Sequence, residues 1–209
     1  MIPKVIIQTS RRESPEKYIV DMIKSRSYGW DYNHYNDVEV INFFKENPLQ
    51  EFPNVIEKFY SFNYGEHRAD LFRYYYLYVK GGVYFDTDAM IEENMDKIVK
   101  DYDFFSVNST YFPKSIFQGF IGCLPNHPIL YQGLKNLYET PNQYLIQRPE
   151  NFHDICRNFY KIVLDHNNET NVRLFEEIYG DKNTAHIVDL ETDKIIMKHY
   201  HIQKIIPRV

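Results

Sequence analysis

Apolar positions recur in this chain in two rhythms, one of short continuous or alternating runs and one of helical spacing, and the switches between them lay out its elements. Residues 5–8 are a short apolar run, as in a strand buried on both faces. Pro15 opens a helix to about residue 24, residues 31–36 read as a second strand, and Asp37 caps a helix ending at Asn47-Pro48. Pro53 starts a helical segment to residue 62. Asn63 and Glu66 then form an Asn-x-x-Glu capping box, starting a long helix that Gly81-Gly82 ends. A strand at 83–86 follows directly, then strands at 103–108 and 116–123 and a helix from His127-Pro128 to residue 138. The proline-bearing stretch 139–150 reads as a loop or lid. Helical segments at 152–164 and 169–179 and apolar strands at 185–190 and 195–202 complete the pattern. Alternation without repeats or linkers predicts one α/β domain over residues 1–209, with a mostly parallel central sheet flanked by helices and a small C-terminal annex of helix and strand.

The densest chemistry lies in residues 70–88, DLFRYYYLYVKGGVYFDTD. Phe72, Tyr76 and Val79 make one apolar helical stripe and Leu71, Tyr75 and Tyr78 another beside it, so this helix is predicted to be deeply buried. Asp70 and Arg73 lie three apart on a common face, which taken alone is a local ion pair. Beyond the glycines, strand alternation places Tyr84, Asp86 and Asp88 on one side and Val83 and Phe85 on the other. The two carboxylates, with Cβ atoms roughly 7 Å apart on an ideal strand, reach one cation or its waters. All-oxygen ligation selects Mg²⁺ or Mn²⁺ over zinc. Such an ion clamps a diphosphate.

Composition narrows the partners. The 209 residues, 44% hydrophobic, suffice for one well-packed domain. A formal net charge of -5 argues against nucleic acid as the main partner. Nineteen Tyr and 15 Phe against one Trp suit semi-polar clefts and cores alike. Cys123 and Cys156 show neither zinc spacing nor a disulfide framework. No apolar run reaches membrane-spanning length and the N-terminal run breaks at Gln8, so the expectation is a cytoplasmic chain without a signal segment, compatible with a place in a longer multidomain protein.

The segments IPKVIIQTS, HRADLFRYYYLYVKGGVYFDTDAM and FQGFIGCLPNHP occur in that order, and together they resemble glycosyltransferase family 32, the group defined by a sugar-binding region with a DXD motif. Asp-x-x-Arg, a gap of ten residues and Tyr-x-Asp-x-Asp also resemble the glucosyltransferase domain of large clostridial toxins. The resemblance implies a GT-A fold and transfer of a sugar from a nucleotide diphosphate with retention of configuration. It implies that Asp86 and Asp88 hold Mn²⁺ or Mg²⁺, Asp86 also reaching the ribose, that Asp70 and Arg73 contact hydroxyls of the donor sugar, and that Tyr84 lines the same pocket. Gln8 and Thr9 match the region that holds the nucleoside, and Arg68 supports the site or belongs to a solvated face. Gln118 and Asn108 fall where the sheet edge meets donor or acceptor, although structural hydrogen bonding accounts for them equally. This fold often takes a further metal ligand near the C-terminus. His199 and His201 alternate in the last predicted strand and face one side, as ligands or as ordinary histidines. The family's usual His followed by Ser-Trp is missing from the terminal KHYHIQKIIPRV.

These residues suit the chemistry that the resemblance implies. A cation stabilises charge on a departing diphosphate, and Asp70 with Arg73 orients the sugar for front-face attack. The expected donor is a UDP-sugar, UDP-glucose first, with a GDP-sugar as the variant; glycan, protein and lipid acceptors all stay open. Two rivals compete. A haloacid-dehalogenase-type phosphatase also places Asp-x-Asp after a strand, but its motif belongs on the first strand with Thr or Val where Met90 stands. A non-catalytic sugar-binding module keeps the fold without turnover.

Overall fold

The computed structural model describes residues 1–11, 15–167, 170–181 and 183–200. Its first half runs β1 (Val5–Thr9), α1 (Lys17–Arg26), β2 (Asp31–Tyr35), α2 (Asp37–Glu46), α3 (Val55–Ser61), α4 (Gly65–Lys80), β3 (Gly82–Phe85) and β4 (Ala89–Ile91). The second half continues with α5 (Met95–Val99), β5 (Phe104–Asn108), β6 (Ile116–Cys123), α6 (Pro128–Glu139), α7 (Asn142–Gln147), a 3₁₀ turn (Pro149–His153), α8 (Asp154–His166), β7 (Val172–Asp181), β8 (Thr184–Asp189) and β9 (Lys194–Tyr200).

Among the described residues the strands form one nine-stranded sheet in the order β2-β1-β3-β6-β5-β7-β8-β9-β4. The α/β class is as expected, but the sheet is mixed. β1 pairs parallel with β2 and β3, and β5 with β7, whereas the other neighbours are antiparallel. Parallel neighbours need a crossover, which α1 supplies between β1 and β2; the β7–β8–β9 meander needs only short turns and is therefore antiparallel.

Strand parity divides the core. Ile7 and Tyr84 face α2, α3, α4, α6 and α8, while Ile6, Val83 and Phe85 face α1 and α5. As predicted, α4 is buried around much of its circumference, with Leu71, Phe72, Tyr74, Tyr75 and Leu77 all inside. Gly81 and Gly82 both take positive φ, and a Cβ on Gly82 would lie 2.5 Å from the Val5 side chain, so the turn from α4 into β3 needs glycine twice over.

Several local expectations give way to tertiary structure. Of the segment 169–179, read as helix, residues 172–179 belong instead to β7, which is laddered to β5 on one side and β8 on the other. The expected loop at 139–150 holds α7 and the start of the 3₁₀ turn. Asn36, not Asp37, caps α2, in a full capping box with Glu39. The box at Asn63 and Glu66 does not form: Tyr64 caps α4, and the Asn63 side chain accepts from Asn142. The short β4 had no signal of its own; its pairing with β9 defines it.

Candidate functional site

The acidic pair sits just past the end of β3, not within it. The strand stops at Phe85, so Tyr84, Asp86 and Asp88 do not all project from one extended segment as expected. Asp86 N–H still donates to Gly119 O of β6 at 3.0 Å, and Asp86 O then accepts from Ala89 N–H, turning the chain. Gln8 fixes that turn. Buried at the end of β1, its Nε2 donates to Asp86 O at 3.1 Å, while its Oε1 accepts from Tyr32 at 2.9 Å. The Tyr84 hydroxyl donates to Asp86 Oδ1 at 2.7 Å, orienting the carboxylate.

Arg73 joins the helix to this turn. Its guanidinium lies 4.3 Å from the centre of the Tyr84 ring, donates from Nη1 to Gln118 O at 2.6 Å, and reaches Asp86 Oδ1 at 3.5 Å and Asp70 Oδ1 at 3.6 Å. A planar fork with five donors is suited to such divided duty. Asp70 is almost wholly buried, and desolvation pushes its pKa up to about 6, against the opposing pull of Arg73 and His67.

Asp88 meets the far end of the sheet. Tyr200 N–H donates to Asp88 O at 2.8 Å, and the β4–β9 register sets Ala89 opposite His199. His199 Nε2 therefore lies 3.4 Å from Asp88 Oδ1. Burial works against charge on His199, but Asp88 and Asp86 outweigh it, so its pKa is raised. One donor atom from each of Asp86, Asp88 and His199 falls within 4.8 Å of the others. Two carboxylate oxygens and one imidazole nitrogen suit a divalent cation, and the nitrogen favours Mn²⁺ over the more strictly oxygen-seeking Mg²⁺. His201 lies outside the described residues.

These groups border a cleft of about 440 Å³ lined by Thr9, Arg11, Arg68, Arg73, Tyr84, Asp86 and Asp88, among others. Of the expected donor-site residues, Gln8, Asp70 and Gln118 do not line it. Gln8 and Asp70 stand behind it, and the Gln118 side chain donates to Cys156 Sγ at 3.2 Å. Thr9 lines the cleft while donating to Tyr35 O. Arg68 donates to Phe62 O with its guanidinium near the Phe59 and Tyr60 rings. Asn108 donates to Glu176, a structural role. Sequence reasoning missed Gly119 and Phe117. Gly119 gives the Asp86 carboxylate its space, and the Phe117 ring packs at 4.7 Å against His199. A glycine inside an apolar strand was the available signal for close approach.

Residues 4–105 match the family model of the glycosyltransferase sugar-binding region containing a DXD motif. Inositol phosphoceramide mannosyltransferase 1 of Schizosaccharomyces pombe is 29% identical over 157 residues, 72% of this chain and 47% of that protein. Mannosyl phosphorylinositol ceramide synthase CSH1 of Saccharomyces cerevisiae is 31% identical over 140 residues, covering 66% of this chain and 35% of its own. The uncharacterized glycosyltransferase L373 of Acanthamoeba polyphaga mimivirus is 28% identical over 152 residues, 68% and 58% of the two chains. The chain thus spans about half or less of the two fungal relatives. Among solved structures the glycosyltransferase PaToxG shares the fold, with a TM-score of 0.56 at 10% identity over 79% of this chain and 70% of that one. Residues 4–105, with Asp86-Thr87-Asp88 as their DXD motif, thus match the sugar-binding region by which this glycosyltransferase family is defined.

Proposed function

We propose that this chain, as one domain over residues 1–209, transfers a hexose from a nucleoside-diphosphate sugar to an acceptor, with retention of configuration as the family resemblance implies. The observation that carries the reading is the convergence of Asp86, Asp88 and His199 at the edge of a cleft that Arg73 also lines. A divalent cation bound there supplies Lewis-acid stabilisation of the charge that builds on the departing diphosphate. Arg73 adds a fixed positive charge beside it and holds Asp86 through the 3.5 Å ion pair. Tyr84 keeps the Asp86 carboxylate in one orientation, and Gln8 holds the backbone beneath it. Asp70 acts through Arg73 as a positioning residue. Thr9, at the end of β1, lines the cleft and would contact the nucleoside.

The names of the fungal relatives bring mannose beside glucose as the sugar, so UDP-glucose and GDP-mannose are the first donors to compare. No helix among the described residues is long and apolar enough to cross a membrane. The phosphatase alternative loses its basis, because the acidic pair follows the third strand and lies in the matched sugar-binding region.

A thermal-shift panel of UDP, GDP, UDP-glucose and GDP-mannose, each with and without Mn²⁺, tests the reading. One nucleotide series should raise the melting temperature only when the cation is present, since a ligand at a hundred times its Kd stabilises by about 2.7 kcal/mol. Nucleotides that stabilise equally without metal, or not at all, would reject it. Donor consumption in the same samples separates an enzyme from a module that only binds.

A further inference from the structure

Four segments far apart in sequence bring their rings into one band. Tyr64, the cap of α4, packs edge-on against Phe152 with centroids 5.1 Å apart, and Phe152 meets His153 at 4.9 Å. His153 stacks at 4.0 Å on Phe112 of the β5–β6 loop, and the neighbouring Tyr111 meets Tyr179 of β7 at 4.4 Å. Rings that serve only the core are buried in this protein, yet Tyr64 is 42%, Phe112 43% and Tyr179 63% exposed.

One end of the band adjoins the cleft, and the other lies on the sheet face that carries His199. Tyr64 directly precedes Gly65 and Glu66, which line the cleft. At the other end, the strand registers pair Tyr179 with Ala185 and Ala185 with His199. Residues paired across strands in one row point to one face of a sheet, so Tyr179 and His199 share a face two strands apart, about 10 Å. That interval is on the scale of one or two sugar rings.

We infer that this aromatic rim is the acceptor subsite, and that its occupant is a carbohydrate whose pyranose ring stacks on Tyr179 and Phe112; the inference rests on the sugar-transfer reading. The faces of a pyranose carry polarised C–H groups that meet the negative face of an aromatic ring, and the phenol hydroxyls of Tyr64 and Tyr179 offer hydrogen bonds to sugar hydroxyls. A membrane-docking face sets cations beside its aromatic and aliphatic side chains. Here the Glu177 and Asp181 carboxylates lie within electrostatic reach of Tyr111, and the whole chain carries a net charge of -5.

Saturation-transfer NMR on the full chain tests this directly, with methyl α-mannopyranoside, mannobiose and cellobiose as probes. Phosphatidylcholine–phosphatidylserine vesicles form the lipid arm in a sedimentation assay. At least one saccharide should receive saturation from aromatic protons. Tyr179→Ala and Phe112→Ala should each weaken that binding roughly three- to tenfold, and Tyr179→Phe, which keeps the stacking ring and loses one hydroxyl, should weaken it less than Tyr179→Ala. Manganese-dependent stabilisation by UDP or GDP should persist in all three variants, showing an intact fold and donor side. Absence of saccharide binding, alanine variants that bind like wild type, or vesicle binding that both variants lose would each overturn the inference. Saccharide binding without any nucleotide stabilisation would reject the sugar-transfer reading instead, so the two failures are distinguishable.

Discussion

Gly119 of β6 faces the Asp86 carboxylate so closely that a Cβ at that position would lie 2.5 Å from Asp86 Oδ2. It would also lie 2.2 Å from Phe117 Cζ, and the Phe117 ring packs on His199. One methyl group therefore presses on two of the three candidate metal ligands. Gly119→Ala is expected to lower Mn²⁺ affinity more than tenfold and to cost about 1–3 kcal/mol of stability through overpacking. Calorimetric titration with Mn²⁺ and urea unfolding measure the two effects. Unchanged affinity would show that Asp86 does not hold the ion.

Much of this site was legible in the sequence, for a physical reason. Asp86, Asp88, Arg73 and Tyr84 lie within one helix–turn–strand segment, where helical spacing, paired glycines and an acidic pair are all local signals. What escaped notice depends on contacts distant in sequence. Gly119 matters only because β6 pairs with β3, and Gln8 turns inward only because Asp86 O and Tyr32 wait there. β7 reads as helix until β5 and β8 supply its ladders. The mixed character of the sheet likewise lies in its pairings, which no single segment encodes.

Asp88→Asn should abolish metal-dependent donor consumption while changing stability by less than about 1 kcal/mol. The fold uses the Asp88 backbone oxygen, which accepts from Tyr200 N–H and survives the substitution. The side chain instead faces His199 at the partly exposed cleft edge. A donor-hydrolysis assay with urea denaturation checks both halves, and wild-type turnover in the variant would reject the ligand assignment.

His199 brings nitrogen into an otherwise carboxylate donor set. Imidazole adds more to Mn²⁺ binding than to Mg²⁺ binding, because Mg²⁺ holds water and carboxylate oxygen in preference. His199→Ala should therefore narrow the Mn²⁺ preference, lowering Mn²⁺ affinity several-fold more than Mg²⁺ affinity. Parallel titrations with the two ions would show it. An equal loss for both would mean that His199 acts by packing against Phe117 and not as a ligand.

Asp70 provides a pH dependence of determinate sign. Desolvation raises its folded pKa from the ordinary 3.8 to about 6, although Arg73 and His67 pull the other way. Between those values the folded chain binds more protons than the unfolded one, so the Asp70 contribution to stability falls as pH rises and levels off above the folded pKa. At about 1.4 kcal/mol per unit the whole effect is on the order of 3 kcal/mol. Asp70→Asn removes the titrating group. It should gain on wild type between pH 4.5 and pH 7.5, a range bracketing roughly the shifted value. Urea unfolding at both ends checks this; parallel curves for the two proteins would mean that the buried carboxyl does not titrate as its surroundings dictate.

Arg73→Lys keeps the charge and removes the geometry, which makes it the sharpest probe of how the helix and the acidic turn are joined. The guanidinium donates to Gln118 O, approaches Asp70 and Asp86 from different nitrogens, and lies over the Tyr84 ring. A lysine ammonium is a compact point charge and does not present those donors in one plane. It would leave at least one buried partner without a donor, and an unpaired buried carboxylate or carbonyl costs about 1–3 kcal/mol. The variant should therefore lose about that much stability. Donor turnover should fall by more than tenfold, because Asp86 loses the group that holds it against Tyr84. Restoration of neither property by added Mn²⁺ would distinguish a displaced Arg73 fork from simple weakening of the metal site, which excess cation overcomes by mass action. Activity that returns in full at high Mn²⁺ would show that Arg73 only tunes the ion and does not position the reacting groups.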